Sequence, residues 1–107
     1  MEPIRAAAEK RSCIAQVTVL HRAVSAPCSE RMIAIIERAM AAAGIEPYRM
    51  LSGAGHDAAA MAEICDVGMI FLRSDGGISH NPAERTSRED IAAGISIMLN
   101  VLDELEG

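Results

Sequence analysis

Two short loops of this chain hold side chains that could do chemistry. Ser52-Gly53-Ala54-Gly55-His56-Asp57-Ala58 places two glycines ahead of an imidazole and a carboxylate. Glycines let a backbone turn sharply and come close to a ligand, and a helix starting here would present unpaired N–H groups to a carboxylate, a phosphate or a carbonyl oxygen. A plain strand-to-helix turn with Asp57 as N-cap accounts for the same residues, because a lone G-x-G is common. The second loop is Ser74-Asp75-Gly76-Gly77-Ile78-Ser79-His80-Asn81-Pro82-Ala83-Glu84. Its glycines and proline can hold the His80 imidazole still, and imidazole is both a frequent zinc ligand and a ready general base. Glu84 is a candidate partner for the other ring nitrogen. One histidine is not a metal site, and a solvated or turn-capping role is the ordinary alternative. His21 has no partner near it in sequence and is read as structural.

The elements that must position these loops can be read from periodicity. Pro3 suits a first helical turn, and 4–11 can form a short helix with Ile4, Ala7 and Ala8 on one side. Residues 14–21 alternate, Ala15, Val17 and Val19 against Gln16 and Thr18, as in a half-buried strand. Ser29 caps a helix running to about Ala43, with Met32, Ile35, Ile36 and Met40 at helical spacing and Gly44 as its stop. A short strand at 49–51 leads into the first loop. A helix over 57–65 comes next, expected to turn Met61, Ile64 and Cys65 inward. Residues 67–72 form a continuous apolar run, the pattern of a strand covered on both faces in a parallel sheet. After the second loop, Thr86-Ser87-Arg88-Glu89 reads as a capping box, and Ile91, Ile95, Met98, Leu99, Leu102 and Leu105 form an apolar stripe on the last helix. Both loops thus come after a strand and precede a helix, where open α/β sheets place their ligands.

Composition narrows the classes. The chain has 107 residues, room for one modest core, and it is 50% apolar with Tyr48 and Phe71 as its aromatics. A net charge of −5 with no basic cluster argues against nucleic acid as a partner. Its apolar runs fall short of the roughly 20 residues of a membrane span, and the start of the chain lacks the pattern of a secretory signal, so a cytoplasmic location is expected. Cys13, Cys28 and Cys65 are odd in number and lack a C-x-x-C pair, and each lies in or beside an apolar run, which points to buried free thiols rather than a disulfide framework, a cysteine zinc site or a catalytic cysteine.

The first loop, then Gly68-Met69-Ile70-Phe71, then Gly77-Ile78-Ser79-His80-Asn81-Pro82-Ala83-Glu84 occur in an order and spacing that resemble the carboxyl-terminal part of the amidase/hydantoinase/carbamoylase family. That family includes N-carbamoyl-L-amino-acid hydrolase, allantoate amidohydrolase and β-ureidopropionase of the di-zinc peptidase-like type. The resemblance runs from about Ala26 to Leu105 and is weaker before Ala26. It implies a partial three-layer α/β fold with a short parallel βαβ unit, the C-terminal fragment of a di-metal catalytic domain. Residues 1–24 would be the end of a lid and dimerisation insertion, a helix plus a strand, and 25–107 the C-terminal segment of the catalytic α/β domain. The resemblance makes His80 a metal ligand and assigns Gly55 and His56 to the substrate site. It implies two divalent ions, zinc or manganese, that activate a water and polarise the carbonyl during hydrolysis of a carbamoyl or ureido C–N bond, with N-carbamoyl amino acids or allantoate as the small-molecule substrate.

The family's other ligands and its acidic base come from an amino-terminal half. Here Glu2, Glu9, His21, Glu30, Glu37 and Glu46 are scattered over separate elements and form no equivalent cluster. The chain is therefore expected to be a fragment or a truncated gene product, with no catalytic residue of its own. Alone it should be inactive and bind no ion tightly, and it should self-associate or pair with the missing half. A non-catalytic α/β binding or assembly module that keeps the loops as scaffold is the rival reading. A small anion-binding protein using the glycine-rich turn is a third.

Overall fold

Ser29 starts the longer of the first two helices with a partner of its own. In a computed structural model, which describes residues 2–20 and 24–107, its Oγ accepts a hydrogen bond from the Met32 N–H at 3.2 Å. This satisfies one of the donors that every helix start leaves unpaired. The short leading helix is α1 (Glu2–Glu9), and the one Ser29 caps is α2 (Glu30–Ala42). Gly44 ends α2 at φ 71, and the Ile45 N–H reaches back to the Met40 carbonyl at 2.9 Å while the Gly44 N–H reaches that of Ala41. This paired closure needs a left-handed residue after the helix, which glycine adopts freely. One turn, α3 (Ala58–Met61), comes after the first loop, and α4 (Arg88–Glu106) is the longest element.

The core lies between α2 and α4, the pair of elements in contact among the described residues. Ile35, Ile36 and Ala39 of α2 meet Ile97 and Val101 of α4, with Met32, Met40, Ile45 and Ile70 packed around them. Ala39 is completely buried, and its small side chain lets the helices approach closely enough for Asn100 Nδ2 to donate to the Ala39 carbonyl at 3.3 Å. Further along, Arg38 donates twice to one oxygen of Glu104, at 2.6 and 3.0 Å. Gly94 is buried under Leu72, where a Cβ would stand 2.5 Å from Leu72 Cδ2.

The expected α/β fold does not form: no strand occurs among the described residues. Residues 14–20, 49–51 and 67–72 carry no helix, yet no backbone hydrogen bond joins any of these segments to another. A strand exists by its ladder, and a parallel pair needs a crossover that lays the second strand beside the first. Here 67–70 lie half-buried on the helices instead, with Gly68 against Ile36 and Met32. The three-layer architecture and the βαβ unit are therefore replaced by a helix pair with irregular segments draped on it. In 14–20 the alternation survives only as half-burial of Ala15 and Val17, while Ile14 and Leu20 are open to solvent. His21 lies outside the described residues.

Three local expectations also change. The helix expected over 57–65 is a single turn, and Met61, Ile64 and Cys65 are exposed rather than inward. The cap of α4 sits one residue later than the Thr86 register, with Ser87 Oγ accepting from the Asp90 N–H at 3.0 Å. Asp90 wins because its carboxylate also takes the Ser87 hydroxyl at 2.7 Å and Arg73 Nη2 at 2.7 Å. Finally, the buried face of α4 is Gly94, Ile97 and Val101, and the stripe from Ile91 to Leu105 is exposed. The chain is correspondingly open, with a radius of gyration of 19.5 Å and 9024 Å² of accessible surface. A compact domain of this mass would have about 13 Å and about 5,800 Å².

Candidate functional site

The first loop is built around one hydroxyl. Ser52 Oγ accepts the Ala54 N–H at 3.2 Å and lies 3.3 Å from the Ala54 carbonyl, folding the chain over Gly53. The same oxygen is 2.7 Å from His56 Nε2. If Nε2 carries no proton, the serine hydroxyl donates to it; if it does, the ring donates and the hydroxyl turns to Ala54. Either way, Ser52 fixes the edge of the imidazole across the Gly53–Gly55 turn. Sequence reading missed this partnership, although the four-residue separation around two glycines was visible. Asp57 is not the side-chain cap expected of it: its backbone is already helical and its carboxylate makes no cap bond. α3 is a single turn, so the helix start there is short.

Gly53, Gly55 and His56 line one side of an open groove of about 1190 Å³ whose lining also includes Ile36, Ile70 and Ile97. Three ion pairs stand on its walls. Arg49 grips Glu37 through Nε at 2.6 Å and Nη2 at 3.1 Å, and its Nη1 lies 3.5 Å from Glu30. The hydrogen bond from Arg49 holds the Glu37 carboxyl below the ordinary carboxylate value, and the bond to Glu37 raises the Arg49 guanidinium. Elsewhere on the lining, Asp90 is also held low, first by the Ser87 hydroxyl and then by Arg73.

The second loop is a closed unit. The Asp75 N–H donates to the Arg85 carbonyl at 2.8 Å and joins its ends. Gly76 and Gly77 take φ 64 and 68, and within the turn His80 also has positive φ, 54. Such a conformation is uncommon for a residue with a Cβ and costs on the order of 1 kcal/mol or more. Asn81 shapes the next few residues: its Oδ1 accepts the Ala83 N–H at 2.9 Å and its carbonyl the Glu84 N–H at 2.9 Å, with Pro82 between them. Glu84 does not pair with the His80 ring. Its Oε2 accepts the His80 backbone N–H at 2.8 Å, and the imidazole is exposed with no hydrogen bond among the described residues.

The two loops do not share this groove. No residue of 74–87 lines the groove that holds Gly55 and His56. Among the described residues, no group of three or more His, Cys, Asp or Glu could hold a metal ion. The donor set therefore does not fit two divalent ions. Cys13 and Cys65 are exposed free thiols rather than the buried ones expected, and Cys28 is half-buried and lines the groove. No helix among the described residues is long and apolar enough to cross a membrane.

Comparison with known proteins adds the lineage. The model of peptidase family M20/M25/M40 matches residues 7–104. The chain is 42% identical over 78 residues to an N-carbamoyl-L-amino acid amidohydrolase of Geobacillus stearothermophilus, covering 73% of this chain and 19% of that protein. It is 39% identical over 103 residues to an uncharacterized hydrolase of Haemophilus influenzae, covering 96% and 25%. To the allantoate amidohydrolase of Escherichia coli it is 49% identical over 59 residues, 54% of this chain and 14% of that one. The chain thus spans about a quarter or less of the length of these relatives. No solved structure gives a significant match. With nearly its whole length inside the family's match, this chain belongs to the peptidase M20/M25/M40 family, among relatives named as carbamoyl-amino-acid and allantoate amidohydrolases.

Proposed function

We propose that this chain is the C-terminal part of a metal-dependent amidohydrolase that cleaves carbamoyl or ureido C–N bonds of N-carbamoyl amino acids or allantoate. The observation that carries the reading is the His80 turn: an exposed imidazole on a loop whose backbone N–H groups at 80, 83 and 84 are all bonded within the loop. A ligand loop must present its donor atom without waiting for the backbone to settle. In this reading His80 supplies one metal ligand, and Gly55 and His56 contribute to the substrate site with Ser52 fixing the ring. Residues 1–24 are the end of a lid and dimerisation insertion, and 25–107 belong to the catalytic domain. Divalent ions, zinc or manganese, are the cofactor class, held mainly by residues beyond this chain. The protein is cytoplasmic.

The lack of any three-ligand cluster among the described residues favours a second statement about the chain by itself: it is inactive, acts as scaffold, and pairs with another chain or a second copy through its open apolar surfaces. Purified chain should show no stoichiometric zinc or manganese and no turnover of N-carbamoyl amino acids or allantoate. Light scattering should give a mass above the 11.4 kDa of one chain. When residues 1–107 replace the matching stretch of the Haemophilus relative, His80→Ala should lose at least one metal equivalent; full retention would remove His80 from the ligand set.

A further inference from the structure

Within the second loop one carboxylate is spent on a backbone N–H although water could serve that exposed group equally well. We propose that Glu84 is a positioning residue that locks His80 in its left-handed backbone conformation and so sets where the imidazole is presented. This rests on the reading of His80 as a ligand, and it adds a role for a residue that the ligand set does not include.

The geometry is specific. A histidine in an exposed loop ordinarily takes φ < 0, and His80 is held at φ 54 without the freedom of glycine. The turn over 81–84, closed by the Glu84 N–H on the Asn81 carbonyl and by Asn81 Oδ1 on the Ala83 N–H, carries Glu84 back beneath His80. Its Oε2 then accepts the His80 N–H at 2.8 Å. The bond is made in the conformer with φ 54, so it favours that conformer over those in which the N–H would face elsewhere. What matters is an acceptor at the right reach. Glutamine keeps both reach and acceptor oxygen, aspartate is one methylene short, and alanine has neither.

The test uses the 107-residue chain in solution. In the wild type, His80 should give the strong intraresidue amide-to-Hα NOE of a positive φ, together with slowed amide exchange. Glu84→Asp and Glu84→Ala should lose the NOE and speed His80 exchange at least tenfold, whereas Glu84→Gln should retain both. The helix signal of α4 serves as the folding control. If Asp or Ala variants keep the NOE and the slow exchange, the proposal is overturned; so too if Gln behaves as Ala does. The Haemophilus graft separates this from the ligand reading. Metal retention by the His80→Ala graft would sink the ligand role while leaving the NOE result to stand. Metal loss there, with weakened binding for Glu84→Ala and recovery in Glu84→Gln, is the outcome expected if both hold.

Discussion

Along α4, Gly94, Ile97 and Val101 are buried against α2 and Leu72, whereas Ile95, Met98 and Leu102 remain 53%, 58% and 52% exposed. The two faces lie about 100° apart around one helix. Both carry large aliphatic side chains, and the open face carries more of them, so what stands opposite each face decides which is buried. The covered face meets Ile35, Ile36 and Ala39, residues spaced so that one helix can nest on another; the open face stays outside that core. Apolar periodicity shows that a surface wants cover, but not which surface the chain itself covers.

The sharpest way to break this comparison is to truncate one side chain on each face. Ile97→Ala removes a 4%-exposed side chain from the helix pair and should lower stability by about 2–4 kcal/mol, read as the shift in the urea midpoint of the helical signal. Met98→Ala, its neighbour on the open face, should stay within about 0.5 kcal/mol under dilute conditions. Equal losses would mean that the open face is covered in solution by another copy, and the contrast between the faces would vanish.

A smaller effect separates the two glycine environments. A Cβ on Gly68 would meet Ile36 Cδ1 at 2.6 Å and Met32 Cβ at 3.1 Å, the second being the root of a side chain on a helix that cannot swing aside. Gly68→Ala should therefore destabilise by about 1–3 kcal/mol. Gly55 has nothing within 4 Å of its Cβ position, so Gly55→Ala should leave the urea midpoint unchanged. An unchanged midpoint for Gly68→Ala would show that residues 67–70 do not rest on α2.

The same contrasts explain which features were legible in the sequence. Ser29, Gly44 and the span of α2 were legible because cap chemistry acts within four residues and depends on no distant partner. The limits of α4 were legible for the same reason, apart from the one-residue shift from Thr86 to Ser87. The three strands were not, because 14–20, 49–51 and 67–72 carry the right side chains but find no ladder to join. The α4 stripe was misplaced because its open face has the more regular spacing, while the covered face depends on Gly94, which periodicity does not count as apolar. In the candidate site, loop composition singled out His56 and His80, and both sit on turns held by hydrogen bonds. Ser52 escaped because it acts across two glycines, whereas Glu84 was read as a partner of His80 but bonds its backbone N–H rather than the ring.

The smallest expected effect lies at the start of α4, where a charged wall of the groove joins the helix cap. Asp90 sits in the first turn, accepts the Ser87 hydroxyl at 2.7 Å and pairs with Arg73 at 2.7 Å. Both contacts favour the ionised form, and the Ser87 bond is the larger cause of the lowered value. A carboxyl whose folded value lies below its unfolded 3.8 contributes stability that is fully present above that value. The contribution is lost as pH falls through the lower, folded value, because the protonated acid no longer attracts Arg73 or the helix start. Asp90→Asn keeps the shape but has no charge to lose. The wild type should therefore unfold at slightly higher urea than Asp90→Asn at pH 7, and the gap should close on acidification below pH 3.8. Glu37 is lowered by Arg49 in the same direction, so both proteins should lose stability together in acid, and the difference between their midpoints isolates Asp90. A gap that stays constant from neutral to acid pH would show that the cap works through the Ser87 side chain alone and that the Arg73–Asp90 pair is a surface contact without effect on folding.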